Sequence, residues 1–87
     1  MSPSLTDKEV IDLIRREVQT IAPRLNADGL NPDAYIADIG IDSLETLELI
    51  GRLEDRTGLA LPDYELANIH KVDDLVRVIQ RIAAEGM

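Results

Sequence analysis

The sequence predicts an all-α domain built as a four-helix bundle, with three longer helices, one short helix and a long first loop. Apolar residues recur at helical spacing in three segments of the chain. Capping signals stand directly before two of these segments. No stretch alternates apolar and polar residues over the length of a useful β-strand. We expect a single domain over residues 1–87, with a helical core at about 6–84.

The first helix is predicted to begin after Thr6, which can form a capping box with Glu9. It should end near Ala22, because Pro23 disfavours helical backbone in the residue before it. The connection that follows, residues 24–41, is unusually long for a compact domain. We expect its larger apolar side chains to pin it against the bundle: Leu25, Leu30, Tyr35, Ile36 and Ile39.

The second helix is predicted to begin after Asp42, because Asp42 is a good cap and Glu45 completes a second capping box. Gly58 is a natural terminator for this helix. A short helix should follow near residues 63–69, and a last long helix at about 72–84.

Composition excludes several classes of function. The net charge of −8 disfavours nucleic acids and anionic membranes as partners and favours basic protein surfaces. The absence of cysteine excludes a disulfide framework and a cysteine-based metal site. The N-terminal residues lack the pattern of a signal peptide, and the apolar runs are too short for a membrane span. We therefore expect a cytoplasmic monomer.

Catalysis by the chain itself is disfavoured. Ser43 would need a base within hydrogen-bond reach, and the single histidine, His70, is predicted at the surface or at a helix end. A calcium loop over residues 24–35 fails, because Arg24 and Tyr35 stand at the first and twelfth loop positions, where acids are needed. We assign no catalytic residue and no metal ligand.

A helical wheel of the second helix reveals two apolar sides. At about 100° per residue, one side is predicted to face the core. It comprises Thr46, Leu49, Ile50, Leu53 and Thr57. Leu44, Leu47 and Gly51 fall on another side, beside Ser43. A serine in the first turn of a helix is common, but exposed leucines around it indicate a contact site.

The segment Asp42-Ser43-Leu44, preceded by Ile39-Gly40 and followed by "ETLELI", resembles the acyl carrier proteins. Their usual pattern is a leucine, a glycine, any residue and then Asp-Ser-Leu. The similarity extends over nearly the whole chain. It implies a four-helix carrier without catalysis of its own, in which a phosphopantetheinyl transferase attaches 4'-phosphopantetheine from coenzyme A to Ser43. It also implies that Asp42 both caps the helix and contacts the magnesium of the transferase.

The resemblance further implies a partner surface on the serine helix for acyl-loading, condensing or transfer enzymes with basic docking surfaces. Its residues would be Leu44, Glu45, Leu47, Glu48, Gly51 and Asp55. The family commonly has a large apolar residue at the place of Gly51. Glycine costs about 1 kcal/mol in a helix interior, so we expect a functional need for space there.

The cargo is left open at this point. Arg52 and Arg56 make the serine helix less acidic than in housekeeping fatty-acid carriers, which suits polyketide or related specialised metabolism. Peptidyl carriers usually have histidine at the place of Asp42, although stand-alone aminoacyl carriers can keep the aspartate. A rival from another class is an acidic helical interaction module that never receives a prosthetic group.

Overall fold

The computed structural model describes residues 5–85. These residues form α1 (Asp7–Ile21), α2 (Ser43–Thr57), α3 (Asp63–Leu66) and α4 (Val72–Glu85). The predicted all-α bundle is confirmed, and pairing of β type within residues 5–85 is limited to one isolated bridge. The outer parts of the expected domain, residues 1–4 and 86–87, lie outside the described residues.

The helix starts follow the predicted capping boxes. The Thr6 hydroxyl accepts the Glu9 N–H at 3.1 Å, and the Glu9 carboxylate accepts the Thr6 N–H at 2.9 Å. Asp42 and Glu45 form the equivalent box at the start of α2. Gly58 ends α2 in the left-handed conformation, with φ of 71°, which glycine adopts without strain.

The short helix α3 is shorter than predicted. It ends at Leu66, three residues before the expected limit at Ile69. The reason lies in the backbone hydrogen bonds. The Ala67 N–H still donates to the Asp63 carbonyl, but the Asn68 N–H donates to Glu65, only three residues back. The chain therefore tightens into turns and does not continue as an α-helix.

The three longer helices pack around an aliphatic core. Their buried apolar residues are Val10, Ile14 and Val18 of α1, Leu49 and Leu53 of α2, and Val72, Leu75, Val76 and Ile79 of α4. The connections add Ala22, Ala27, Leu30 and Leu61. The predicted core stripe of α2 is thus occupied at its centre by two fully buried leucines, and its other members are partly buried.

The long first loop is held by the start of α4. The Ile36 N–H donates to the His70 carbonyl at 2.8 Å, and the Val72 N–H donates to the Ala34 carbonyl at 2.9 Å. Two short 3-10 helical turns, Ala27–Gly29 and Ile36–Asp38, shape the rest of the loop. These bonds give an otherwise irregular segment a fixed position against the bundle.

The prediction that Tyr35 pins the loop through its side chain is wrong. The Tyr35 side chain is 51% exposed, whereas Leu25, Leu30, Ile36 and Ile39 do pack on the core. Tyr35 has extended backbone, so its side chain points away from those of its neighbours Ala34 and Ile36, which face inward. Outside, the Lys71 ammonium lies 5.2 Å from the centre of the tyrosine ring.

A buried acid links α1 to α2. Glu17 is only 1% exposed, and its carboxylate lies 3.4 Å from both the Arg52 and the Arg56 guanidinium groups. From the sequence, these arginines were interpreted as lowering the acidity of the serine helix. Their partner is a specific carboxylate on the neighbouring helix, so they tie the two helices together.

This arrangement predicts an asymmetric response to mutation. Replacing both arginines with glutamine leaves Glu17 buried and unpaired, and we expect a loss of about 3 kcal/mol in the free energy of unfolding. Glu17→Gln should cost about 1 kcal/mol, since the half-exposed arginines regain water. Chemical denaturation measures both, with Lys8→Gln, which breaks an exposed pair with Asp12, as a control. Equal losses in the two variants would contradict the burial argument.

Candidate functional site at the start of helix α2

Ser43 is the first residue of α2 and is exposed. The preceding cap fixes the start of the helix without using the serine. One Asp42 carboxylate oxygen accepts the Glu45 N–H at 2.7 Å, and the Asp42 carbonyl accepts the Thr46 N–H and hydroxyl, both at 2.9 Å. None of the hydrogen bonds among residues 5–85 uses the Ser43 hydroxyl. The hydroxyl is therefore free for an incoming group.

The backbone around this hydroxyl is suited to an anion. Among the described residues, the N–H groups of Ser43 and Leu44 have no acceptor, as expected for the first turn of a helix. The positive end of the helix dipole lies at the same place, and α2 is 15 residues long. An accessible hydroxyl beside two free amides fits a phosphate ester attached to Ser43.

The segment before the serine is held by Arg24, which sequence reasoning missed, and by its neighbour Leu25. The Arg24 guanidinium donates to both Glu45 carboxylate oxygens, at 2.7 and 2.9 Å, and to the Gly40 carbonyl at 2.9 Å. Gly40 has φ of 106°, and a Cβ there would lie 3.2 Å from the Leu25 side chain. The only sequence signal for this contact was the opposite charge of Arg24 and Glu45, which lie 21 residues apart.

Glu45 is consequently occupied within the bundle. Its hydrogen bonds to Arg24 and to the Asp42 amide lower the pKa of its carboxyl group to about 2. The carboxylate therefore remains ionised through the mildly acidic range. Glu45 was predicted as a partner contact, but the structure turns its charge toward Arg24, away from the other predicted contacts.

The other predicted contacts share one face of α2. Leu44 and Leu47 are 75% and 65% exposed, which confirms the second apolar side inferred from the helical wheel. Glu48 and Asp55 are exposed on the same side, and Glu48 lies 3.5 Å from Arg52. We call Leu44, Leu47, Glu48, Gly51 and Asp55 the α2 face.

Gly51 lies within this face and is partly buried. A Cβ added there would meet no atom within 4 Å, so packing among the described residues does not require glycine. Its presence has no explanation within the bundle itself.

A small apolar cavity of about 140 Å³ lies beside the α2 face. Leu47 contributes to its wall, together with residues of the first loop, α3 and α4. The full lining is Ile36, Thr46, Leu47, Leu49, Ile50, Leu66, Ile69 and Leu75. The helical wheel could not predict this cavity, because its walls come from separate segments of the chain.

The described residues contain neither a metal-binding cluster nor a membrane-spanning helix. Residues 5–85 contain no group of three or more acidic, histidine or cysteine side chains placed to hold a metal ion. His70 is exposed, as predicted, and its backbone N–H donates to the Asp74 carboxylate at 3.0 Å. No helix in the described part of the chain is long and apolar enough to cross a membrane.

Comparison with known proteins agrees with this geometry. A family model described as "Phosphopantetheine attachment site" matches residues 12–79. The acyl carrier protein of Rhodococcus erythropolis is 31% identical over 81 residues, covering 93% of this chain and 89% of the relative. The meromycolate extension acyl carrier protein of Mycobacterium leprae is 29% identical over 84 residues, covering 95% and 72% of the two chains.

The fold agrees as well. The hexanoyl acyl carrier protein of the actinorhodin polyketide synthase of Streptomyces coelicolor has a TM-score of 0.79 and 29% identity, with both chains covered completely. The carrier interpretation is thus favoured over the aminoacyl carrier and the unmodified interaction module. The chain belongs to the acyl carrier proteins, which hold acyl groups as thioesters on a 4'-phosphopantetheine prosthetic group.

Proposed function

We propose that Ser43 is the attachment point of the 4'-phosphopantetheine arm, on which this chain carries acyl intermediates between enzymes of fatty-acid-like or polyketide biosynthesis. The observation that carries the proposal is the exposed Ser43 hydroxyl at the start of α2, beside the unpaired amides of Ser43 and Leu44. The arm supplies the thiol to which an acyl group is bound.

Attachment would be carried out by a phosphopantetheinyl transferase. The Ser43 oxygen forms a bond to the phosphorus next to the pantetheine of coenzyme A, the phosphoanhydride bond breaks, and adenosine 3',5'-bisphosphate leaves. The hydroxyl proton would pass to a base on the transferase, because no side chain among residues 5–85 accepts a hydrogen bond from the Ser43 hydroxyl. Asp42 would contact the magnesium of the transferase through the carboxylate oxygen that the cap leaves free. The chain itself would have no catalytic activity.

The apolar cavity supports short acyl cargo. A cavity of about 150 Å³ lined by apolar side chains is known to accept benzene, a molecule of six carbons. The cavity beside Leu47 is of similar size, at about 140 Å³, and its lining is almost wholly aliphatic. We expect it to accept an acyl chain of about six carbons before its walls must move.

The melting temperature of acylated protein should reveal this limit. We expect it to rise from the acetyl to the hexanoyl form, because each buried methylene contributes about 0.8 kcal/mol, and then to level off towards dodecanoyl. Thermal unfolding of the purified acyl forms measures the series. The same acyl groups on free pantetheine, added in trans, serve as a control. A melting temperature that is independent of chain length would show that the cavity is not used.

The α2 face supports docking to basic partner enzymes. Exposed acids at the rim of an interface chiefly set the association rate, whereas apolar residues at its centre chiefly set the dissociation rate. Glu48 and Asp55 of this face, with the neighbouring cap residue Asp42, would provide the rim. Leu44 and Leu47 would provide the centre. Loading, condensing or transfer enzymes would then approach by charge and be retained by apolar contact.

Ser43→Ala should abolish attachment of the prosthetic group, because it removes the attacking oxygen and leaves the Asp42 cap intact. Intact mass after incubation with a transferase of broad specificity and coenzyme A measures the loss, and circular dichroism should show unchanged helix content. Ser4→Ala, outside the motif, is the matched control and should be modified like the wild type. Modification of the Ser43→Ala protein would show that the attachment site is elsewhere.

Leu47→Ala and Glu48→Gln should separate the two components of docking. We expect Leu47→Ala to raise the dissociation rate of the transferase, at a cost of about 1 to 2 kcal/mol in affinity. Glu48→Gln should lower the association rate and weaken its dependence on salt. Surface plasmon resonance at two salt concentrations measures both, with Asp28→Asn, an exposed acid outside the α2 face, as control. An unfolded Leu47→Ala protein with unchanged binding kinetics would contradict the assignment.

A further inference from the structure

Arg24 makes three hydrogen bonds to the segment that presents Ser43. Two go to the Glu45 carboxylate, at 2.7 and 2.9 Å, and one goes to the Gly40 carbonyl at 2.9 Å. Gly40 lies three positions before Ser43, and Glu45 lies two positions after it. A single planar side chain from the first loop therefore holds both flanks of the serine.

The neighbouring contacts extend this hold. The carboxylate oxygen of Glu45 that accepts the shorter Arg24 bond also accepts the Asp42 N–H at 3.1 Å. Leu25, next to Arg24, packs against Gly40, whose φ of 106° turns the chain into α2. Arg24, Glu45 and the Asp42 backbone thus form a continuous network around Ser43 but leave its hydroxyl free.

Global stability alone does not account for this network. The Arg24 side chain is 55% exposed, and ion pairs at such positions add little to the stability of a fold. None of Arg24, Gly40, Asp42 and Glu45 belongs to the buried core of the bundle. What the three bonds do restrict is the position of the Gly40–Glu45 segment relative to the end of α1.

We propose that Arg24 is a positioning residue for modification, which fixes the Gly40–Glu45 segment so that the Ser43 hydroxyl is presented to the transferase in a reactive orientation. The inference rests on the proposed function of Ser43. Correct placement of a nucleophile contributes to the rate of the chemical step, whereas docking through the α2 face does not require Arg24. Loss of Arg24 should therefore lower kcat for modification more than it raises KM.

The test uses the full-length unmodified protein, a phosphopantetheinyl transferase of broad specificity and coenzyme A, with initial rates followed by intact mass. We expect Arg24→Gln to lower kcat about tenfold, with KM changed less than about twofold. Arg24→Lys keeps the charge but not the planar fork, so it should restore only part of the rate. Arg77→Gln is the matched control. It removes an exposed arginine paired with Asp7 and Asp73, and its kinetics should equal those of the wild type.

A double-mutant cycle tests whether Arg24 acts through Glu45. Glu45→Gln keeps an acceptor for the Asp42 N–H, since glutamine also completes a capping box. The Arg24→Gln, Glu45→Gln double variant should be no slower than Arg24→Gln alone. Amide hydrogen exchange gives a second readout, and the Glu45 and Thr46 amides should exchange faster in Arg24→Gln than in Arg77→Gln.

The possible failures are distinguishable. Wild-type kcat and KM in Arg24→Gln, with Ser43→Ala unmodified, would overturn the positioning role and leave the proposed function standing. A raised KM with unchanged kcat would also overturn it, because Arg24 would then act in docking. A Ser43→Ala protein that is still modified would instead refute the proposed function. If Arg24→Gln fails to fold, full kcat in the folded Arg24→Lys protein would overturn the requirement for the planar fork.

Discussion

Ion pairs hold helix α2 at both ends, against α1 and against the loop that follows α1. At one end α2 supplies the acid, and at the other end it supplies the bases. Near its start, Glu45 on α2 accepts hydrogen bonds from Arg24 in the loop. Towards its end, Arg52 and Arg56 on α2 pair with Glu17 on α1. Glu45 in the first turn and Arg56 in the last turn also carry the signs of charge that suit their ends of the helix dipole. Leu49 and Leu53 provide the apolar contact between these two points, so the outer side of the helix is available for other contacts.

This arrangement explains how an acidic surface persists on a helix that contains two arginines. The Arg52 and Arg56 guanidinium groups are directed toward the buried Glu17, and Arg52 also reaches Glu48 at 3.5 Å. Asp42 and Asp55 are exposed and carry no described ion pair. Counting these arginines against the acidic residues of the helix therefore underestimates how acidic its exposed surface is. Which way a charged side chain turns matters more for docking than the number of charges on the helix.

Local signals were sufficient to predict the three longer helices and the position of Ser43 at the start of one of them. The capping boxes at Thr6 and Asp42 and the terminator Gly58 act over a few residues, so the sequence displays them directly. The exposed leucines followed from the helical period alone. The ion pairs could not be predicted in this way, because Glu17 and Arg52 are 35 residues apart and every surface charge looks alike in sequence. The prediction that the Tyr35 side chain pins the first loop was wrong for a related reason. Backbone hydrogen bonds near Tyr35 hold this part of the loop, and its aromatic ring does not.

The cavity lies on the side of α2 away from these ion pairs. Its lining comes from α2, α3, α4 and the connecting segments, and α1 contributes no residue to it. The wall formed by Leu66 and Ile69 belongs to α3 and to the turn after it, and α3 has only four residues. A single helical turn is easier to displace than a helix anchored in the core. A longer acyl chain could thus enlarge the cavity by moving α3, while the contacts that hold the start of α2 and present Ser43 stay in place.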